Sequence, residues 1–207
     1  MTPPLDDPAA AGDALAGALD GLLTGLGDPL EYGLSVLLLR DGALDDDAHL
    51  ERATPLLVRA QAAGVAVLFE NRVGLVEPSG GDGVHLSLGE KPGAVKALRR
   101  QLGEGVILGA ACGASRHAAM LAGEEGADYV AFGALDGSEA TDPDLVDWWA
   151  RSMTPPLVVC GAGDPAAVRS YAEAGADFIA LNADMWLHVD NPLAAFTGLA
   201  KAAGHNL

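Results

Sequence analysis

Apolar residues alternate along the chain between short unbroken runs and longer stretches in which they recur at every third or fourth position. The short runs, at 34–39, 65–69, 83–86, 106–109, 128–132, 157–160 and 178–181, lack the in-out alternation of a half-exposed strand and read as strands buried on both faces. The longer stretches read as helices. The first spans 9–26, with Leu15, Leu19, Leu22 and Leu26 near one face and Gly27-Asp28-Pro29 as its stop. Others run from Asp45-Asp46-Asp47 to about Ala63, through Lys91, Lys96, Arg99 and Arg100, around Met120 and Leu121, around Trp148 and Trp149, and from Leu193 onward. Buried strands separated by helices specify parallel crossovers, hence an α/β chain.

The most complete unit is Pro155 to Asp184, a strand, a turn Gly161-Ala162-Gly163, a helix and a second strand. Asp164 suits the helix cap, Pro165 its first position and Gly175 its end. The glycines leave backbone N–H groups bare ahead of a helix N-terminus, which suits a phosphate; a tight turn without ligand fits the same residues. Residues 125–131, EGADYVA, are echoed by 174–180, AGADFIA, so one β-α unit is used twice.

A (β/α)8 barrel needs eight strands, and the pattern supplies seven. The fold class predicted is therefore α/β, a TIM-type barrel lacking or replacing its first strand, in one phosphate-binding domain over 9–207. Residues 1–8, rich in Pro and Asp, are expected to be a flexible arm. Either the barrel is open beside 34–39, or part of this segment closes it despite its composition. A second subunit, the arm or a displaced helix should cover that edge, and a homodimer is the preferred expectation.

Charge changes the picture of partners. With 29 acidic against 12 basic residues the formal net charge is −17, which repels nucleic acid and anionic membrane surfaces. No apolar run has the length of a membrane span, and the opening residues lack the basic start of a signal peptide, so a soluble cytoplasmic protein is expected. Cys112 and Cys160 have no metal or disulfide spacing. The three aspartates at 45–47 read as helix caps before they read as a metal site, and His85, between apolar neighbours, reads as a core residue.

From Leu34 to about Met185 the order of motifs resembles the thiamine phosphate synthase and TenI family, through ENRVGL at 70–75, GDGVHL at 81–86, GADYVAFG at 126–133, and the CGAG turn at 160–163 followed by GADFIAL. The resemblance implies a phosphate-binding TIM barrel. Synthases of this family join a pyrimidine pyrophosphate to a thiazole phosphate with magnesium, and TenI-type relatives aromatise a thiazole phosphate as tautomerases. Loss of pyrophosphate leaves a pyrimidine carbocation, which demands cations and N–H donors around the leaving group. Carried onto this sequence, the resemblance gives catalytic roles to Arg40, Arg72 and Cys112 and magnesium ligation to Asn71 and Glu90. It gives phosphate contacts to Gly133, Gly161, Ala162, Gly163, Asn182 and Ala183. Arg40, Asn71, Arg72, Glu90 and Cys112 should line one pocket, with a small phosphorylated heterocycle as partner.

The departures from the family fall on the chemistry. QLREK becomes Leu38-Leu39-Arg40-Asp41-Gly42, keeping the arginine and losing the glutamine and the lysine. The Asn-Asp pair becomes Glu70-Asn71, and the second magnesium aspartate falls on Glu90. A strand-end serine falls on Ala111 beside Cys112, a later lysine near Thr141, and the last serine on Ala183, with Asp184 added. The resemblance with these losses implies a synthase-like protein of weak or absent activity; a thiazole phosphate tautomerase and a non-catalytic phosphate-binding scaffold are the alternatives. Lys91, Lys96 and Lys201 all lie in helical stretches, which disfavours Schiff-base aldolase chemistry.

Overall fold

The structure, a computed structural model, describes residues 1–7, 13–87, 91, 93–187 and 191–205. Along the chain the elements are α1 (Asp13–Leu26), β1 (Val36–Leu39), α2 (Asp46–Ala62), β2 (Ala66–Glu70), a 3-10 turn (Val73–Leu75), α3 (Val76–Ser79), β3 (Gly83–Leu86), α4 (Ala94–Leu102) and β4 (Ile107–Ala111). They continue with α5 (Arg116–Glu124), β5 (Tyr129–Phe132), α6 (Pro143–Ser152), β6 (Leu157–Ala162), α7 (Pro165–Glu173), β7 (Phe178–Leu181), α8 (Asp184–Leu187) and α9 (Pro192–Ala202). All seven expected strands are present, and the α/β class holds.

Two compact units share the chain. The first comprises Met1–Gly83 and Ala183–Leu207. In it β1 and β2 pair in parallel, with Leu39 opposite Phe69, and Leu37, Leu39, Val67 and Phe69 are buried. Helix α2 presents Ala53, Leu56, Leu57 and Ala60 to this core. Asp45 caps it by accepting the Ala48 N–H at 2.9 Å, and Asp46 and Asp47 lie in its first turn, so the aspartates are helix-start residues as their position implied.

The segment expected to be a flexible arm lies along β1. Thr2 N–H donates to the Leu38 carbonyl at 3.0 Å, Arg40 N–H donates to Thr2 Oγ1 at 3.0 Å, and Pro4 and Arg40 form a parallel bridge. Thr2 and Leu5 are buried, Arg52 donates to the Leu5 carbonyl at 2.6 Å, and Trp186 Nε1 donates to the Met1 carbonyl at 2.7 Å. Residues 1–7 thus cover part of the β1 edge. Its prolines, which cannot donate, suit an outermost position in a ladder.

The second unit, Val84–Asn182, carries β4, β5, β6 and β7 hydrogen-bonded in that order, all parallel. Helices α5, α6 and α7 start on side-chain caps from Ser115, Asp142 and Asp164, with Pro143 and Pro165 just inside the last two. His85 is buried in β3 with Nδ1 2.8 Å from the Tyr129 hydroxyl, as befits a core histidine.

Candidate active site

In the first unit the C-terminal ends of β1 and β2 lie side by side, because the ladder that pairs Leu39 with Phe69 sets the next residues, Arg40 and Glu70, across from each other. Arg40 Nε donates to Glu70 Oε2 at 2.8 Å, and the same oxygen accepts the Asp41 N–H at 2.8 Å. Both side chains are shielded, Arg40 at 15 % and Glu70 at 10 % exposure, so solvent screens the pair only weakly. Arg72 is held still more completely. Its Nε reaches Asp41 at 2.7 Å, Nη1 reaches Asp46 at 2.6 Å, and Nη2 reaches the Gly42 and Leu44 carbonyls at 3.1 and 2.6 Å. Asp6 closes the cluster: its Oδ2 accepts the Ala43 N–H at 2.9 Å, and its carboxyl occupies the space a Cβ on Gly42 would need.

Asn71, directly after β2, is the non-glycine residue with positive φ (57°) among the described residues, a conformation asparagine tolerates better than most side chains. The described residues do not make a magnesium site of themselves. Asn71 is a neutral amide, Glu70 is committed to Arg40, Glu90 lies outside the described residues, and no group of three or more His, Cys, Asp or Glu able to hold a metal occurs among the described ones.

Near this cluster His49 of α2 is fully buried, tilted against Phe69 at 5.9 Å, and neither ring nitrogen has a hydrogen-bond partner among the described residues. Burial lowers its pKa below 6.5, Arg72 lowers it further, and Asp41, Asp46 and Asp6 oppose them. The imidazole is neutral at pH 7.

In the second unit the glycine turn and its neighbours come together. Strand β6 runs on through Ala162 with a register shift between Cys160 and Ala162, so Gly161, φ 80°, is a bulge inside the strand end and not the first turn residue. A Cβ there would lie 2.5 Å from the Ala134 carbonyl oxygen and 2.7 Å from Gly137 Cα, so only glycine fits. Ala162 accepts the Asn182 N–H at 3.0 Å, and a Cβ on Gly163 would lie 2.6 Å from Asn182 Nδ2. Gly161, Ala162, Gly163 and Asn182 thus lie together. The Asp164 carboxylate accepts the Ala166 and Ala167 N–H groups at 2.9 and 3.0 Å, which spends the first donors of α7 internally. Gly133 lies beside Cys160 but gives its N–H to the Gly113 carbonyl at 3.0 Å. Ala183 belongs to the first unit and opens α8. Cys112, at the end of β4, is buried; burial pushes its thiol up to about 11, so it is protonated at neutral pH.

Arg40, Asn71 and Arg72 are therefore neighbours at one end of adjacent strands. Sequence reasoning gave no role to Asp41 or Asp6, and it placed Glu70 at a strand end, on the family's asparagine, without assigning it a partner. The partner of Glu70 follows from the pairing of β1 with β2, which no local pattern gives. Asp6 meets Gly42 across a sequence gap that no local pattern spans.

The sequence profile of the family described as thiamine monophosphate synthase matches residues 14–184. The thiamine-phosphate synthase of Rhodospirillum centenum is 37 % identical over 201 residues, covering 94 % of this chain and 91 % of the relative. That of Hyphomonas neptunium is 40 % identical over 162 residues, covering 75 % and 72 %. A solved structure of thiamine phosphate pyrophosphorylase from Pyrococcus furiosus superposes with a TM-score of 0.73 at 19 % identity, covering 96 % of this chain and 90 % of that one, which supports the TIM-barrel-like fold. On the extent of the profile match and these identities, the chain belongs to the thiamine monophosphate synthase family.

Proposed function

We propose that the protein binds a small phosphorylated heterocycle of thiamine phosphate formation and carries out the condensation weakly or not at all. Family membership supports the substrate class. The observation that carries the loss of rate is the state of Arg72, whose guanidinium is spent on two aspartates and two carbonyls and has little left for a leaving pyrophosphate. In a shielded site each cation withheld from the transition state is worth on the order of 3 kcal/mol, about two powers of ten in rate.

The cradle of Gly161, Gly163 and Asn182 supports phosphate binding without turnover, since the N–H groups of Gly163 and Asp164 are engaged by no other described residue. A tautomerase would need a general base, and Cys112, with its thiol held protonated, is a poor one. Two buried free cysteines suit a reducing, cytoplasmic setting. A homodimer would have to form elsewhere than at the β1 edge, which residues 1–7 occupy.

The test is a pair of titrations, pyrimidine pyrophosphate and thiazole phosphate each alone, beside an assay for thiamine phosphate with both substrates and magnesium. Thiazole phosphate binding with little turnover supports this reading; turnover at an ordinary enzymatic rate, or no binding of either substrate, overturns it.

A further inference from the structure

We infer that Glu70 is a specificity-determining residue that turns the strand-end cluster against free pyrophosphate by occupying Arg40 as an internal counter-anion. Glu70 ends β2 and is buried, and one of its oxygens takes both the Arg40 Nε and the Asp41 N–H at 2.8 Å. The strand register sets the two residues opposite each other and both side chains are shielded, at 15 % and 10 % exposure, so the pair is screened less than a surface ion pair. Around it stand Arg72, Asp41, Asp46 and Asp6, giving two guanidinium groups against four carboxylates in the cluster. A polyanion entering here meets Arg72 fully engaged and reaches Arg40 only through its Nη groups, of which Nη1 touches Met1 Sδ at 3.8 Å, on a guanidinium whose charge Glu70 already balances. Its charge is set against the adjacent Glu70 carboxylate, and drawing Arg40 away from Glu70 would leave a buried carboxylate uncompensated, which is the costly way to open such a pair. A ligand that does not draw on Arg40 incurs no such cost, so Glu70 discriminates by the charge a ligand brings to the end of β1.

The amide of glutamine can accept both hydrogen bonds that Glu70 accepts and carries no charge, which separates charge from geometry. This inference rests on the reading that the protein binds members of this substrate class, and the two can fail separately. Inorganic pyrophosphate is titrated calorimetrically into wild type, Glu70→Gln, and the double variant Glu70→Gln with Arg40→Gln, and thiazole phosphate is titrated into wild type. Glu70→Gln is expected to bind pyrophosphate at least about tenfold more tightly, roughly 1.4 kcal/mol, and the double variant to return to within about threefold of wild type, because the freed cation is then gone. Pyrophosphate binding by Glu70→Gln no tighter than wild type, or a gain that survives in the double variant, overturns the role of Glu70. Should Glu70→Gln not fold, Glu70→Asn repeats the comparison with the same two outcomes. Failure of wild type to bind thiazole phosphate counts against the substrate class alone, since the pyrophosphate comparison does not depend on it.

Discussion

Asp128 and Leu108 exchange two hydrogen bonds: the Asp128 N–H donates to the Leu108 carbonyl at 2.8 Å, and the Asp128 carboxylate accepts the Leu108 N–H at 2.7 Å. Asp82 does the same with Val67, at 2.9 and 2.7 Å, and Asp177 with Leu157, at 3.1 and 2.8 Å. Each aspartate precedes a strand and completes the ladder of the strand before it, which gives the GAD echo a structural cause. Asp128 also holds the buried Arg99. Asp128→Ala should therefore destabilise the protein by about 1–3 kcal/mol, and more than Asp177→Ala, which strands no arginine. Urea midpoints decide it; equal losses would contradict the account.

Gly161→Ala places a methyl against the Ala134 carbonyl and Gly137 while demanding φ near 80° of a side-chain-bearing residue. The expected cost is about 1–3 kcal/mol, with loss of thiazole phosphate binding because the bulge positions the residues that follow it. Gly74→Ala, which meets nothing within 4 Å, is the control and should leave both unchanged. Thermal melts with and without ligand give the comparison, and a tolerated Gly161→Ala would show that the bulge is dispensable.

His49 predicts a pH dependence with a definite sign. Burial holds its folded pKa below 6.5, so the folded state binds fewer protons than the unfolded one in that window. Its contribution is fully present above pH 6.5 and is lost as pH falls below that value toward the lowered folded pKa. The slope from this group reaches at most about 1.4 kcal/mol per pH unit. His49→Leu removes the group and two unpartnered ring nitrogens, so the variant should lose less stability than wild type between pH 7 and pH 5. Parallel stability curves would show that His49 does not titrate on unfolding.

The strands were legible because strands buried on both faces are apolar at successive positions: Val67-Leu68-Phe69 and Val130-Ala131-Phe132 admit little else. The glycine turn was legible as a place, but not as a bulge, since Gly161 is demanded by a loop more than twenty residues earlier in the chain. Residues 1–7 carried the wrong composition for a buried strand, and besides the buried Met1 and Leu5 what holds them is specific: Thr2 Oγ1 on Arg40 N–H, Asp6 on Ala43 N–H, Arg52 on the Leu5 carbonyl. Arg40 and Arg72 were visible as cations, whereas their pairing with Glu70, Asp41 and Asp46 depends on strand register and loop geometry.

The position where the family carries a lysine illustrates that limit. Gly42→Lys alone drives its Cβ into Asp6 and should displace residues 1–7 from β1, at a cost in stability. Combined with Asp6→Ala and Asn71→Asp, it should fold near wild-type stability and gain thiamine phosphate synthase activity by about tenfold or more. Circular dichroism melts and initial rates test both halves. A stable single variant would contradict the packing role of Asp6; a stable triple variant with no gain would contradict the assignment of Gly42 to the missing cation.

The steady-state rate of thiamine phosphate formation by the wild-type protein, with saturating substrates and magnesium and the Rhodospirillum centenum relative measured alongside, asks most directly whether sequestering Arg40 and Arg72 removes the reaction. The predicted turnover is below about 0.001 per second, and turnover on the order of 0.1 to 10 per second, the range of an ordinary biosynthetic enzyme, would contradict it.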